Sequence, residues 1–549
     1  MAEDTSTAGK SLVGSSFSSL SFLVALQLFS RLFTSVLNQA LFRLASPSVF
    51  GTAAIQFELI LSTILFLSRE GVRNAILRTN VEAGEEDKVK ATNLTFLPIL
   101  LGVPLALLTS LGYVASASEE VRRQPHLVLA VGMYALAALV ELLSEPMHNM
   151  AMVQLKTDVR VRAEGLGITC KSVVTFFVLL YDVRYGDNSL PLVAFAAGQL
   201  TYGVIVFLSY ARKLGIPWFR ASSSQKKVPA ETSTSKFQFD AKLLRLSLIM
   251  TSQSVIKHFL TEGDKLVLSF FSPLQDQGGY AIAVNYGSLI ARIVFQPIEE
   301  TLRIFFSKLL SPSASKTTKK EALTQSSNAL LGLISAQLAF SMVLTVFGSA
   351  YLPIVLPILL PQRYLATSAP KILSAWIYYI PVLALNGGLE AFLSSVASEK
   401  DLNRQSRWMI FFSVVYVSAT ILFYRLGLGD ASLIYANILN LSARIGYCIH
   451  FASQFFAKSS PPVRLNWKAA LPPPLFIVLA AISSLLVRFS RYRLGIDNAL
   501  RSSGRTAIFL PRTLAHIGFG GALALACVGV WWITQGRSLV SRIRHAKVD

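Results

Sequence analysis

The chain has 549 residues, of which 53% are hydrophobic and only 15% are charged, and its mean hydropathy is +0.52. A soluble globular protein of this length needs more polar residues to cover its surface, so the composition excludes that class and indicates a membrane protein. The formal net charge of +21 is distributed over short loops, which argues against a nucleic-acid-binding protein.

Long apolar segments recur from one end of the chain to the other. A hydrocarbon core of about 30 Å needs about 20 helical residues, whereas barrel strands would be segments of about 10 residues with alternating polarity. We therefore predict an all-α polytopic membrane protein with about 14 transmembrane helices. The predicted spans are 17–41, 49–68, 94–114, 127–149, 165–182, 190–210, 243–271, 279–305, 328–350, 370–396, 407–426, 431–456, 472–489 and 512–535.

The basic residues alternate between the two sides of the membrane. Loops after even-numbered spans hold clusters of Lys and Arg, whereas loops after odd-numbered spans mostly hold one or two. By the positive-inside rule the clustered side is cytosolic, so both termini are predicted to be cytosolic. One loop breaks the rule, because six arginines lie within residues 488–512. They are either a tolerated exception at headgroup level or a contact with an anionic lipid.

The longest polar connection divides the chain after six spans. At a fixed offset of 226 residues, several positions of the two halves align: Gln27 with Gln253, Arg31 with Lys257, and Ser46-Pro47 with Ser272-Pro273. Two six-helix bundles in the same orientation, related as a parallel pseudo-repeat, would then surround a central polar cavity. The predicted organisation is a cytosolic tail 1–16, a first bundle 17–210, a cytosolic linker 211–242, a second bundle 243–456, two additional helices 457–536 and a cytosolic tail 537–549.

A polar stripe follows the eighth predicted span. Its members are 7, 4, 3 and 4 residues apart, so they share one helical face that covers roughly 27 Å. Ionisable groups at such depth cost roughly 2.5–3.5 kcal/mol each, so they face the protein interior or a wet cavity. Pro297 permits a kink in this span. The stripe consists of Asn285, Arg292, Gln296, Glu299 and Arg303.

Polar side chains also interrupt other predicted spans. These charges either pair with each other and hold helices together, as Glu145 with Arg31 would, or line an enclosed hydrophilic cavity. The residues are Gln27, Arg31, Thr34 and Asn38 in the first span, Glu141, Glu145 and His148 in the fourth, Asn386 and Glu390 in the tenth, Asn437, Asn440 and Arg444 in the twelfth, and single charges at Lys171 and Lys257.

Motifs of known enzymes are not found in the sequence. HExxH, GxSxG and Walker sequences are missing, the predicted lumenal loops are too short for a glycosyltransferase site, and the three cysteines have no metal-ligand spacing. We predict a transporter and not an enzyme, and we expect no metal or cofactor. Because no ATP-binding motif occurs, transport is predicted to be passive or ion-coupled.

Eight segments resemble one known family. They occur in the expected order over about 420 residues, and the chain resembles the eukaryotic endoplasmic-reticulum family of dolichol-linked oligosaccharide translocation proteins, within the multidrug, oligosaccharidyl-lipid and polysaccharide exporter superfamily. The segments are FSRLFTSVLNQ (29–39), ILFLSREGVR (64–73), VELLSEP (140–146), FLTEGDK (259–265), GGY (278–280), YGSLIARIVFQPIEE (286–300), NGGLE (386–390) and ANILNLSARI (436–445).

The resemblance implies a fourteen-helix fold of two six-helix bundles in the endoplasmic reticulum membrane. It also implies a role in protein N-glycosylation. This role is the movement of Man(5)GlcNAc(2)-PP-dolichol from the cytosolic to the lumenal leaflet. The chain would either flip this lipid by alternating access without ATP hydrolysis or support the step in another way. Dolichyl pyrophosphate oligosaccharide, membrane lipid and other N-glycosylation enzymes are the expected partners, and nucleic acid is not.

The polar stripes fit such a substrate. A sugar hydroxyl without a partner in hydrocarbon costs roughly 2–7 kcal/mol, whereas amides can replace water and Arg or Lys can bind pyrophosphate. Arg69 and Arg73 are predicted at the cytosolic entrance, where a substrate would enter. The alternative is that Glu70 pairs with Arg73 in a juxtamembrane salt bridge. The expected substrate-binding residues are Arg31, Asn38, Lys257, Asn285, Arg292, Gln296, Glu299, Glu390 and Arg444, and the expected ion or pairing sites are Glu141, Glu145 and Lys171.

Two alternatives stay open at this point. A cation-coupled exporter of small molecules on the same fold would use Glu141, Glu145 and Glu390 as proton or sodium sites. A membrane scaffold for the N-glycosylation pathway would have no transport activity, and substitutions in its cavity would have no effect.

Overall fold

The computed structural model describes residues 36–76, 93–154, 156–216, 241–310 and 319–537. Throughout these ranges the regular structure is helical and contains no strand. The chain divides into two compact units, a first unit Met1–Gly278 and a second unit Gly279–Asp549.

The first unit is built from eight main helices among its described residues. A helical segment over residues 36–44 and the short helix Glu119–Arg122 accompany them. The main helices are α1 (Pro47–Ile76), α2 (Leu97–Ser116), α3 (Leu127–Leu142), α4 (Glu145–Val153), α5 (Thr157–Tyr185), α6 (Pro191–Leu214), α7 (Ala241–Thr261) and α8 (Gly263–Phe271).

Helix α9 begins at the end of the first unit and forms the first helix of the second. It consists of Leu274–Ile290, a π turn Ala291–Phe295 and Gln296–Leu309. The other long helices of the described second unit are α10 (Lys319–Leu359), α11 (Ala369–Val396), α12 (Glu399–Leu428), α13 (Ala431–Lys458), α14 (Pro474–Arg493) and α15 (Pro511–Gly536), and the short ones are Gln362–Leu365, Trp467–Ala470, Ile496–Ser503 and Gly504–Phe509.

Many exposed side chains of the long helices are large and apolar. On α2, for example, Leu108 is 69% exposed and Leu111 is 67% exposed, which is the pattern of a surface solvated by lipid tails. Eleven helices of the described residues are long and apolar enough to cross a membrane. The chain is a multi-pass membrane protein, and the predicted all-α fold is confirmed.

The number of fourteen spans stays a prediction. Most of the first predicted span, 17–41, lies outside the described residues. The seventh, 243–271, is not one helix, because α7 ends at Thr261 and α8 begins at Gly263. Glu262 between them has φ −93° and ψ 8°, so the chain leaves the α conformation inside the FLTEGDK segment.

Helices α7 and α8 pack with the first unit, although they were predicted to open the second bundle. Near Gly71 of α1 the two backbones almost touch, since a Cβ at Gly71 would lie 2.8 Å from the Ser247 carbonyl oxygen and 2.7 Å from the Thr251 amide nitrogen. Two turns away, the Thr63 hydroxyl is 3.0 Å from His258 Nε2. The predicted domain limits stay a prediction. Most of the predicted linker 211–242 lies outside the described residues.

Buried amides connect the beginnings of α1 and α9. Gln56 Nε2 donates to Gln277 Oε1 at 2.9 Å, and the Tyr113 hydroxyl donates to Gln56 Oε1 at 2.6 Å. The two Ser-Pro pairs of the predicted repeat occupy equivalent places, because Ser46 caps α1 and Ser272-Pro273 directly precedes α9.

Aromatic rings form the centre of the second unit. Phe306, Phe392 and Phe456 are fully buried. The ring centroid of Phe392 lies 5.1 Å from that of Phe306 and 5.4 Å from that of Phe456. Each ring comes from a different helix, so this cluster fixes α9 and α13 on either side of α11.

We predict that Gly71→Ala lowers the midpoint of thermal unfolding in detergent by several degrees. An added Cβ must displace the backbone of α7, and overpacking costs about 1–3 kcal/mol, more than the gain in helix propensity. Gly112→Ala in α2 is the matched control, because no atom lies within 4 Å of its added Cβ. Equal midpoints for the two variants would show that α7 does not pack on α1 as described.

Candidate functional site

Two arginines of α1 bind two glutamates across the first unit. Arg69 NH1 lies 2.7 Å from Glu141 Oε1 and 3.4 Å from Glu145 Oε1. Arg73 donates to Glu145 through Nε at 2.8 Å and through NH2 at 2.5 Å. Arg69 and Arg73 are four residues apart in α1 and share one helical face, whereas Glu141 lies in α3 and Glu145 opens α4.

A break between α3 and α4 presents the second carboxylate. Helix α3 ends at Leu142, and Glu145 opens α4 with Pro146 behind it. The Ser144 hydroxyl donates to the Glu141 carbonyl oxygen at 2.6 Å and satisfies a group that the break leaves without its helical partner.

The four side chains differ in exposure. Glu145 is completely buried and Glu141 is 9% exposed, whereas Arg69 and Arg73 are 21% and 22% exposed. A buried carboxylate without a partner is strongly destabilising, so the bidentate contact with Arg73 is needed to hold Glu145 at this position. The sequence suggested Glu70 for Arg73 and Arg31 for Glu145, and the structure instead joins Arg73 to Glu145; Arg31 lies outside the described residues.

Arg69, Arg73 and Glu141 border a cavity of about 330 Å³, which we call the first-unit cavity. Its wall is shared by α1, α3, α5 and α6. Lys171 of α5 reaches it and donates from Nζ to Gln199 Oε1 of α6 at 2.5 Å. Lys171 thus has a neutral amide as its hydrogen-bond partner, whereas the charges of the two arginines are balanced by glutamates.

Sequence reasoning singled out Lys171 but missed four other polar residues of this cavity, Glu58 and Ser62 of α1 and Gln199 and Tyr202 of α6. Gln199 and Tyr202 line it from α6, and Gln199 is almost fully buried. Their signal was an amide and a phenol inside the apolar segment FAAGQLTYG.

A second cluster of charges lies in the second unit. Arg444 of α13 donates from Nε to Glu390 Oε1 of α11 at 2.9 Å, and its NH2 group bonds to the same oxygen. One turn before Glu390, Gly387 leaves space that the Glu299 carboxylate of α9 occupies, because a Cβ at Gly387 would collide with Glu299 Oε1. Three predicted substrate residues, Glu299, Glu390 and Arg444, are therefore brought together.

The polar stripe of α9 is largely on the exposed face of the helix. Arg292, Gln296 and Arg303 are exposed, and Arg292 donates to the Asn285 carbonyl oxygen at 3.2 Å. Buried positions of the same helix include Phe295 and Gly287, whose missing side chain leaves room for the ring of Trp376. The π turn Ala291–Phe295 directly precedes Pro297, which is the irregularity expected where proline removes a helical donor.

The structure describes the other three predicted substrate residues to different extents. Asn38 is half-buried in the helical segment 36–44, the side chain of Lys257 is not described, and Arg31 lies outside the described residues. Substrate roles for all the predicted residues stay predictions.

The sequence matches the model of the Rft protein family over residues 15–545. The chain belongs to the Rft protein family. It is similar to the Man(5)GlcNAc(2)-PP-dolichol translocation protein RFT1 of Yarrowia lipolytica, with 34% identity over 90% of this chain and 78% of the relative. The proteins of the same name from Schizosaccharomyces pombe and Saccharomyces cerevisiae are 33% and 30% identical over 88% and 79% of this chain, and 90% and 82% of the relatives.

Two solved structures resemble the fold of this Rft family chain. The lipid II flippase MurJ in an inward closed conformation matches with a TM-score of 0.59 and 15% identity, over 94% of this chain and all of that one. A multidrug resistance MATE family transporter of the MOP superfamily, in an inward-facing conformation, matches with a TM-score of 0.50 and 13% identity, over 79% of this chain and 99% of that one. At these identities the likeness concerns the fold alone.

Four of the eight segments that carried the family resemblance meet in pairs. ILFLSREGVR holds Arg69 and Arg73, and VELLSEP holds Glu141 and Glu145. In the second unit of this Rft family chain, NGGLE supplies Glu390 and ANILNLSARI supplies Arg444. The first of these two pairs of segments joins α1 to α3 and α4, and the second joins α11 to α13.

We predict that Glu145→Gln strongly lowers the thermal stability of the Rft family chain. It leaves Arg73 without its carboxylate, and breaking a buried pair on one side costs about 3–5 kcal/mol. Glu164→Gln is the matched control, because Glu164 forms an exposed ion pair with Arg160 at 2.8 Å. Thermal unfolding in detergent, followed by fluorescence, measures both.

The double variant Arg73→Gln, Glu145→Gln extends this test. We expect the double variant to recover part of the stability lost in Glu145→Gln, because it no longer leaves the Arg73 charge without a carboxylate partner. Strictly additive effects of the two substitutions would contradict the described pair.

We also predict that Gly387→Ala displaces the Glu299 carboxylate. Its effect on any function of Glu299 should equal that of Glu299→Gln, and combining the two should add nothing further. N-glycosylation of a reporter glycoprotein in cells that depend on the variant is the measurement, with Gly446→Ala in α13 as the control because no atom lies within 4 Å of its added Cβ. A normal reporter in Gly387→Ala together with a defect in Glu299→Gln would contradict the close contact.

Proposed function

We propose that this chain acts in the movement of Man(5)GlcNAc(2)-PP-dolichol from the cytosolic to the lumenal leaflet of the endoplasmic reticulum membrane, either as the flippase or as a factor that this step requires. The observation that carries the proposal is its similarity, over most of both chains, to relatives that bear the name of this translocation step. The fold shared with a lipid II flippase supports a transporter and gives no reason to invoke bond-breaking chemistry.

The physical problem in such a movement is the headgroup. Each sugar hydroxyl placed in hydrocarbon without a partner costs roughly 2–7 kcal/mol, and the pyrophosphate is charged. A protein that lowers this barrier must offer hydrogen-bonding groups and cations within the membrane while the dolichol chain stays in lipid.

The first-unit cavity offers such groups. We propose that Lys171 is its main contact for pyrophosphate, because its ammonium group donates to the neutral Gln199 amide, forms no ion pair within the described part of the chain, and can exchange the amide for a phosphate oxygen. Arg69 and Arg73 are held by Glu141 and Glu145, so they keep the wall rigid and direct remaining N–H groups into the cavity.

The remaining predicted residues are assigned to the sugars and to gating. Asn285, Arg292 and Gln296 on the exposed face of α9 can replace water around hydroxyls, and Glu299 with the Glu390–Arg444 pair can change partners as helices move. We assign Arg31, Asn38 and Lys257 to the same task from their place in the sequence.

We infer an endoplasmic reticulum location with both termini cytosolic, and alternating access without ATP hydrolysis. Contacts with other N-glycosylation enzymes are part of the proposal and rest on the family resemblance alone. A cysteine introduced near either terminus and probed with a membrane-impermeant reagent in sealed microsomes tests the orientation.

Binding of the proposed substrate is measured first, with the full chain purified in detergent. A dolichyl pyrophosphate oligosaccharide should raise the thermal unfolding midpoint in a concentration-dependent way, because a ligand that binds only the folded state stabilises it. Dolichyl phosphate without sugars, and a neutral lipid of the same length, distinguish headgroup recognition from recognition of the tail.

We predict that Lys171→Gln weakens this binding about 10- to 100-fold. Hydrogen bonds to charged groups contribute about 1.5–3 kcal/mol, and 1.4 kcal/mol corresponds to a factor of ten in affinity. Lys171→Arg should retain most of the binding, and Lys468→Gln, which removes an exposed lysine of the short helix Trp467–Ala470, should have no effect.

Transfer of the same lipid across reconstituted vesicles then separates a flippase from a required factor. Binding without transfer supports the second form of the proposal. Absence of binding, together with normal reporter glycosylation in Lys171→Gln cells, would overturn the assignment of the first-unit cavity and favour a scaffold without transport activity.

A further inference from the structure

The loop between α14 and α15 is a folded platform in the second unit. Residues 496–509 form the helix Ile496–Ser503 and the turn Gly504–Phe509, with Ile496, Ala499 and Ala507 buried beneath them. Arg505 donates from Nε to the Pro357 carbonyl oxygen at 2.7 Å and from NH2 to the Leu360 carbonyl oxygen at 3.0 Å, which anchors the platform to the end of α10.

Acidic residues are almost missing from this region. Residues 488–512 contain six arginines and a single carboxylate, Asp497. Asp497 is paired with Arg491, whose NH2 lies 2.5 Å from its Oδ1. Apart from Arg491 and the anchoring Arg505, four arginines are exposed and have no acidic partner among the described residues. They are Arg488, Arg493, Arg501 and Arg512.

The platform lies where membrane helices end. Helix α14 ends at Arg493 and α15 begins at Pro511, so Arg493 and Arg512 are at the two helix ends. Arg488 is five residues before the end of α14, about 7.5 Å along the helix, a distance that an arginine side chain can span toward headgroups.

Exposed aromatic rings surround these arginines. Phe489 is 62% exposed, Tyr492 is 85% exposed and Phe509 is 78% exposed. Aromatic side chains at the ends of membrane helices mark the boundary between hydrocarbon and headgroups. Rings that enter the bilayer boundary beside guanidinium groups that remain at its surface are the arrangement that a phospholipid headgroup layer fits.

We propose that this platform, together with the adjoining helix ends that carry Arg488, Arg493 and Arg512, binds the headgroups of anionic phospholipids in the adjoining leaflet. Guanidinium groups bind phosphate with paired hydrogen bonds, and a neutral lipid would leave the positive charge of the four arginines uncompensated. The platform is held by Arg505 and by the Arg491–Asp497 pair, so the four arginines are presented on a fixed surface. This site is separate from the first-unit cavity and does not depend on the proposed function.

The test uses the full chain and native mass spectrometry with phosphatidylserine and phosphatidylcholine as probes. The chain should retain phosphatidylserine in preference to phosphatidylcholine, and the preference should fall in high salt. The quadruple variant Arg488→Gln, Arg493→Gln, Arg501→Gln, Arg512→Gln should lose it, with a decrease of about fivefold for each arginine, as expected for one basic residue at an anionic surface.

The matched control removes the same charge elsewhere. Arg404, Arg407, Arg425 and Arg464 are exposed in the same unit, and their quadruple replacement by Gln should leave the lipid preference unchanged. If the first quadruple variant does not fold, the double variants Arg488→Gln, Arg501→Gln and Arg493→Gln, Arg512→Gln provide the same comparison, each with about a 25-fold decrease.

Two results would overturn the proposal. One is equal retention of the two lipids by the unmodified chain. The other is an equal loss of preference in the platform variant and in the control, which would attribute the effect to net charge alone. Thermal stabilisation by phosphatidylserine nanodiscs, measured on the same variants, must follow the same order.

Discussion

The structure of the first unit depends on the cost of placing a carboxylate where neither water nor a headgroup reaches it. Glu145 is completely buried, and its charge is tolerated because Arg73 binds both of its oxygens. That requirement determines which faces of α1, α3 and α4 meet, since a rotation of either partner would leave a buried charge without compensation. The helix break before Glu145 and the spacing of Arg69 and Arg73 serve the same contact.

One consequence is a division of work among the cations of the first-unit cavity. Arg69 and Arg73 are balanced by glutamates and are part of the wall, whereas Lys171 is held by a neutral amide. A phosphate that enters this cavity does not have to displace a carboxylate from Lys171. Among the described residues that line this cavity, Lys171 is the cation without a carboxylate partner, and for this reason we propose it as the ligand contact.

The second unit solves the same problem in two ways. Within its helices, Arg444 and Glu390 pair and Glu299 fits against the bare backbone of Gly387, so charge is contained by close packing. Around the end of α14 and the beginning of α15, in contrast, four exposed arginines have no acidic partner among the described residues, and we propose that anionic headgroups compensate their charge. The difference follows from depth, because the headgroup layer can supply phosphate and the hydrocarbon core cannot.

The sequence by itself determined the class of fold, because the length of apolar segments is fixed by membrane thickness and helices satisfy their own backbone. It also determined which helix faces are polar, since that follows from a period of 3.6 residues. It did not determine partners: Arg73 bonds to Glu145 and not to its neighbour in sequence, and α7 packs on α1 across a predicted domain limit. Only the tertiary structure decides these contacts, because they depend on which faces approach closely enough to exclude water.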